Sequence, residues 1–253
     1  MMVEERRSQI LQLLRLEGRV RVNNLVRRFN TSAPTIRADL NEMHKRGLVH
    51  RSHGGAVAPY STLLESPLQE RMLAHVGEKR RIGALAATLI QDGETIILDS
   101  GTTTHEVARH LKGKKNLYVI TNGVNVANEL LGAPGIQIII VGGTLRNDSA
   151  SIVGRFGEEM LEQFSADKLF MGGAGCDFEF GVSWANVEET AINRAMLKAS
   201  QEIILVMDSS KFNKRSVSRI AHFSEVDTVV SDTDMTEEVR EKIRALGCEL
   251  MLA

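Results

Sequence analysis

Residues 4–16 place Ile10, Leu13 and Leu14 on one helical face, and Gly18 follows as a residue able to take the left-handed conformation that ends a helix. Val20 and Val22 alternate as a short strand. Asn23 is then placed to cap a brief helix carrying Leu25, Val26 and Phe29, and Asn30 turns the chain. Thr31 or Ser32 caps a third helix with Pro34 in its first turn and Ile36, Leu40 and Met43 at i, i+4 and i+7, ended by Gly47. Burying those three leaves Thr35, Arg37, Ala38, Asn41 and Lys45 as a polar row on or near the other face. Leu48-Val49 and Ala56-Val57 flank His50-Arg51-Ser52-His53-Gly54-Gly55, the pattern of a β-hairpin with a basic tip.

Beyond residue 57 the pattern changes. Residues 58–76 hold two of the chain's four prolines and read as a linker. From Gly77 on, helical stretches (82–90, 105–111, 124–131, 188–200, 237–246) alternate with apolar runs such as "TIILD", "LYVITN", "IQIIIVGG", "KLFMGGAG", "EIILVMD" and "VDTVVSD". Continuously apolar strands between helices indicate a parallel sheet covered on both faces. The expected architecture is α/β: an N-terminal winged helix-turn-helix domain over 1–57, a linker over 58–76, and a doubly wound, mostly parallel effector domain over 77–253.

Charge sharpens the first part of this picture. The net charge of −1 conceals a basic head, because residues 1–57 carry 11 Lys and Arg against 5 Asp and Glu, while the remainder carries 20 against 27. A basic head on an acidic body suits a domain that neutralises nucleic-acid phosphates, although solvated charged faces alone produce the same balance. With 43% hydrophobic and 25% charged residues the composition is that of a soluble globular protein. No apolar run approaches a bilayer span and Met1 to Gln9 is charged, so no membrane association and a cytoplasmic location are expected. Cys176 and Cys248 are too few and too distant for a disulfide framework or zinc site, and His75, His105, His110 and His222 show no metal-ligand spacing, so no metal or cofactor is expected.

Ligands of such sheets bind beyond the carboxyl ends of the strands. After "TIIL" comes Asp99-Ser100-Gly101-Thr102-Thr103-Thr104 directly before a helix, where N–H groups and hydroxyls favour an anion. It lacks the lysine and spacing of a nucleotide P-loop and is not a dinucleotide fingerprint. Thr121-Asn122-Gly123, Gly142-Gly143 with Arg146 close behind, and Ser209-Ser210-Lys211 occupy three further strand ends. Each loop alone is explained by turn chemistry; four together point to an oxygen-rich ligand. Trp184 either lines that pocket or packs against the sheet, with packing the more economical use of a lone indole.

Through Arg6-Arg7, "TSAPTIRADL" and "HRSHGGA", and then "LDSGTTT", "TNGVNVAN", "VGGTLR", "GGAGCD" and "DSSKF", the sequence resembles the DeoR family of sugar-responsive transcription regulators over nearly its whole length. The resemblance implies operator-DNA contacts among Arg6, Thr31, Ser32, Thr35, Arg37, Asn41, Arg51 and His53, with Ala38 standing where the family usually carries a second arginine. It implies a C-terminal domain similar to ribose-5-phosphate isomerase that binds a phosphorylated sugar as inducer. The implied effector residues are Asp99, Ser100, Gly101, Thr102, Thr103, Thr104, Thr121, Asn122, Gly142, Gly143, Arg146, Gly173, Asp177 and Lys211. "TNGVNVANELL" and "VGGTLRNDSASIVG" look most like members that control amino-sugar catabolism. The rival is a working isomerase with a DNA-binding head. Its two loop aspartates correspond to Gly172 and Gly175 here, so no catalytic residue is expected, although Asp177, Glu188 and Glu189 lie nearby. The same residues also suit N-terminal helices that pack on a partner protein, and a large domain that serves only as an oligomerisation scaffold. A single head reads few base pairs, so a homo-oligomer, dimer or tetramer, is expected on double-stranded DNA.

Overall fold

The computed structural model describes residues 3–17, 19–46, 48–52, 54–57 and 67–253. In the N-terminal part, α1 (Val3–Glu17), β1 (Arg19–Arg21), α2 (Val22–Phe29), α3 (Ala33–Lys45), β2 (His50–Ser52) and β3 (Gly55–Val57) follow in order. Ile10, Leu13 and Leu14 of α1 meet Leu25 of α2 and Ile36, Leu40 and Met43 of α3 in one core. Helix α2 begins at Val22 rather than behind an Asn23 cap. Its N-cap is Arg21, which makes no side-chain capping bond, because Val22 is drawn into the core. Asn30 closes α2 in the left-handed conformation. The sheet has the order β1-β3-β2, and a Cβ at Gly55 would stand 1.9 Å from Val20 O, so only glycine lets these backbones meet there. Asp39, fully enclosed, accepts from Arg6 Nε at 2.6 Å and Arg7 Nε at 3.0 Å and so ties α1 to α3.

The chain divides into two units, Met1–Leu64 and Glu65–Ala253. Of the segment read as linker, residues 58–66 lie outside the described residues, and 67–76 belong to the second unit. There α4 (Leu68–Leu73) and α5 (Val76–Ala87) lead into β4 (Thr95–Leu98), α6 (Thr102–Arg109), β5 (Leu117–Thr121), α7 (Val124–Leu130) and β6 (Ile136–Ile140). A hairpin of β7 (Thr144–Arg146) and β8 (Ser151–Val153) and helix α8 (Arg155–Leu161) precede β9 (Ala166–Met171), β10 (Gly175–Asp177) and β11 (Gly181–Trp184). Then come α9 (Val187–Lys198), β12 (Ser200–Val206), β13 (Ser218–Ala221), β14 (Thr228–Ser231), α10 (Glu237–Ala245) and β15 (Glu249–Leu252). The three-residue strands β7, β8 and β10 of this unit escape a sequence reading because they hold too few positions for a period to show.

Seven parallel strands form one sheet in the order β15-β14-β12-β9-β4-β5-β6. Successive side chains of each strand enter opposite layers: Ile96, Leu98, Phe170, Ile204 and Val206 face α5, α6 and α7, while Ile97, Leu169, Met171 and Leu205 face α8, α9 and α10. The doubly wound, mostly parallel domain is therefore present. From β4 the chain steps outward to β5 and β6, and from β9 it steps the other way to β12, β14 and β15. The order thus reverses between β4 and β9, where such sheets open a crevice for ligands. Cys176 and Cys248 are buried thiols, each pushed up to about 12 chiefly by burial. Among the described residues no helix is long and apolar enough to cross a membrane.

Candidate functional site

In the first unit Ser32 is the cap of α3. Its Oγ accepts from Thr35 N at 3.3 Å and lies 2.8 Å from Thr35 Oγ1, which settles the choice between Thr31 and Ser32. Pro34, Arg37, Ala38, Asn41 and Lys45 are exposed at helical spacing on one face, whereas Thr31 and Thr35 are half-buried beside its start. Arg6 stands apart from this face, since it is 8% exposed and its guanidinium is engaged with Asp39. Arg51 of β2 donates to Gly55 O at 2.7 Å within its own hairpin. His53 lies outside the described residues.

In the second unit the loops after β4, β5, β9 and β12 meet at the reversal of strand order. Asp99, 3% exposed, accepts from Gly101 N at 2.8 Å, Thr104 Oγ1 at 2.5 Å and Gly172 N at 2.7 Å. Burial pushes its carboxyl up, and these donors with the nearby Arg71 oppose that shift. Asp99 and Thr104 thus hold the loop in shape, and Thr121 does likewise, its Oγ1 accepting from Gly123 N at 3.0 Å. A Cβ on Gly123 would fall 2.8 Å from Ser100 Cα, so the close approach of the β4 and β5 loops requires glycine. What the clamp presents is the start of α6, behind Gly101, with no side-chain cap on the N–H groups around Thr102 and Thr103. Asn122 is fully buried, with Nδ2 donating to Ile152 O at 3.1 Å, and Asn125 Nδ2 reaches Ser100 O at 3.5 Å. The Oδ1 atoms of both asparagines are buried acceptors without a partner among the described residues.

Other expected residues stand farther off or have other partners. Gly173 follows β9, packed toward Met207 and Val182, and Lys211 ends the short 3-10 turn Ser209–Lys211 after β12, half-buried. Gly142 and Gly143 are exposed beyond β6, the strand outside β5. Arg146 is not a lone surface charge. Its Nε donates to Glu189 at 3.1 Å and an Nη to Asp148 at 2.7 Å. Glu189, 2% exposed, also accepts from Ser149 Oγ and Ser151 Oγ at 2.5 Å each and from Trp184 Nε1, so it is a buried hub rather than merely a helix-opening carboxylate. Trp184 is core, as packing economy suggested. Asp177 sits on the small β10-β11-β13 sheet, where Arg215 at 2.8 Å holds its carboxyl below the usual carboxylate range.

Two cations that the sequence did not single out lie on α4 and α5. The Arg71 guanidinium of α4 lies 5.4 Å from the Trp184 ring centroid. Lys79 of α5, 6% exposed, donates to Arg71 O at 2.5 Å and Ala74 O at 2.7 Å. Burial brings the Lys79 ammonium down to about 8, with Lys211 and Arg71 adding to the shift and Asp208 and Glu106 opposing it.

Residues 6–62 match the DeoR-like helix-turn-helix domain and residues 74–233 the DeoR C terminal sensor domain. The chain is 39% identical over 250 residues to a protein of Escherichia coli O157:H7 named for repression of the aga operon, covering 98% of this chain and 93% of that one. It is 35% identical to the transcriptional repressor AccR of Agrobacterium fabrum, covering 95% of each. It is also 35% identical to the glycerol-3-phosphate regulon repressor of Escherichia coli strain K12, covering 90% of each. Among solved structures it is similar to ribose 5-phosphate isomerase A of Methanocaldococcus jannaschii, with a TM-score of 0.41, 15% identity and coverage of 55% of each chain.

Proposed function

The chain belongs to the DeoR family of transcriptional regulators, and from that premise we propose that it represses a carbohydrate catabolic operon and leaves its operator when a phosphorylated sugar or amino sugar fills the strand-end site. It is a regulator rather than an enzyme, as the names of its relatives indicate. Arg37, Asn41, Thr35 and the N-terminal turn of α3 read base edges, while Arg51 and His53 of the wing fix the register on the backbone. The functional unit is a symmetric homo-oligomer on repeated half-sites, working in the cytoplasm.

The observation that carries the effector reading is the uncapped start of α6 beside the buried Oδ1 atoms of Asn122 and Asn125, which have no partner among the described residues. The helix end suits a phosphate, the two acceptors suit sugar hydroxyls, and Ser100, Thr102, Thr103 and Lys211 complete the set. A relative named for the glycerol-3-phosphate regulon supports a small phosphorylated metabolite as the ligand class.

A mobility-shift assay on the DNA upstream of the protein's own gene, with hexose, pentose and amino-sugar phosphates, tests both halves. A specific shift relieved by one compound is expected. A shift indifferent to all of them overturns the effector assignment, and no specific shift overturns the DNA assignment.

A further inference from the structure

The seven-stranded sheet ends at β6, which pairs with β5 alone among the described residues. Leu117 N donates to Gly135 O and Val141 N to Thr121 O, so alternate positions of this strand face β5. Ile136, Ile138 and Ile140 therefore direct their N–H and C=O groups away from the sheet. Natural proteins blunt such an edge with a charge, a proline or a bulge. The opposite edge, β15, begins with the exposed Glu249. Strand β6 has none of these devices: it reads "IQIII" in unbroken register with β5.

The surface around this edge is depleted of charge as well. Residues 117–145 contain one charged residue, Glu129, in a chain that is 25% charged, and its carboxylate is held by Lys112 at 2.8 Å. Helix α7 packs on β6, and its exposed positions Val124 and Asn128 share one face with Leu131, at i, i+4 and i+7. Leu131 is 69% exposed and Ile140 49%. Aliphatic side chains left exposed where charges are missing mark the core of a protein–protein interface rather than a surface for a charged ligand.

With the functional unit taken, as above, to be a symmetric homo-oligomer, we propose that β6 of one copy pairs antiparallel with β6 of a second copy across a two-fold axis at Ile138. The occupant is a second copy because the edge complements itself. Ile138 faces its own symmetry mate and Ile136 faces Ile140 of the second copy, each pair exchanging both N–H···O bonds. An uncharged strand meets no repulsion from its like, and the exposed stripes of the two α7 helices lie on one face of the joined sheet, either side of the axis. Two DNA-binding heads are thereby joined for repeated half-sites.

The test uses the full-length protein in sedimentation velocity, with far-UV circular dichroism to check folding. Wild type is expected to sediment as a dimer or a larger assembly. I140K and L131E are each expected to sediment as a smaller species, their association weakened at least about a hundredfold, because every contact buries a charge from both copies. L246K, at a 53% exposed apolar position that ends α10, keeps the wild-type assembly. I138C is expected to form an intermolecular disulfide with diamide, since hydrogen-bonded antiparallel partners lie about 5.5 Å apart at Cα, within disulfide range. Wild type, whose Cys176 and Cys248 are buried, forms none. If wild type assembles and both charged variants assemble equally well, the homo-oligomer stands and this interface falls. Dissociating variants without an I138C cross-link overturn the strand pairing and its axis. A monomeric wild type overturns the symmetric assembly and the inference with it.

Discussion

Gly172 N donates to Asp99 Oδ2 at 2.7 Å, joining the loops after β9 and β4 where the sheet reverses its strand order. The crevice at this reversal is therefore shaped by a carboxylate that faces inward. D99A leaves the N–H groups of Gly101 and Gly172 without their acceptor and is expected to destabilise the second unit by about 3 kcal/mol. Urea denaturation measures this, and a loss below about 1 kcal/mol would show that the clamp is dispensable.

Glu189 provides a second test of stability. It gathers Arg146, Ser149, Ser151 and Trp184 in one buried network. E189A strands a partly buried guanidinium and is expected to cost about 3–5 kcal/mol. Since Trp184 is the chain's single tryptophan, its emission should shift together with the loss of stability. Stability lost with unaltered emission would separate Trp184 from the network.

Arg6 and Arg37 should divide cleanly. R6A removes a partner from buried Asp39 and is expected to lower the stability of the first unit by about 3 kcal/mol, seen in thermal melts. R37A, at an exposed position, should leave stability within about 0.5 kcal/mol yet cost about 1–3 kcal/mol of operator discrimination in competition binding. An R37A protein with wild-type discrimination would remove Arg37 from base readout.

Lys79 makes stability depend on pH in a defined direction. Burial holds its ammonium at about 8 in the fold against 10.5 as the ordinary value, with Asp208 and Glu106 opposing the shift and Lys211 and Arg71 adding to it. The charged form is disfavoured by folding, so the cost is fully present below about 8 and fades as pH rises toward 10.5, where the unfolded chain still binds the proton that the fold has released. K79M removes this cost. Its stability relative to wild type should fall across that window, and a pH-independent difference in urea melts would contradict the assignment.

Much of this protein was legible in the one-dimensional pattern. The spacing of Ile36, Leu40 and Met43 determined which side of α3 is buried and hence that Arg37 and Asn41 are exposed. Apolar runs between helices determined a covered parallel sheet, and the polar loops behind them marked the strand ends. These features are local, since helical and strand periods are set by neighbours a few positions apart. Tertiary structure alone decided the rest. It paired Arg6 with Asp39 and Arg146 with Glu189, and it set Arg71 on Trp184 and Lys79 against the carbonyls of Arg71 and Ala74. The burial and pairing of a charge depend on groups far away in sequence. Arg6 and Arg37 read alike as basic residues, and only the enclosed carboxylate of Asp39 makes one of them structural.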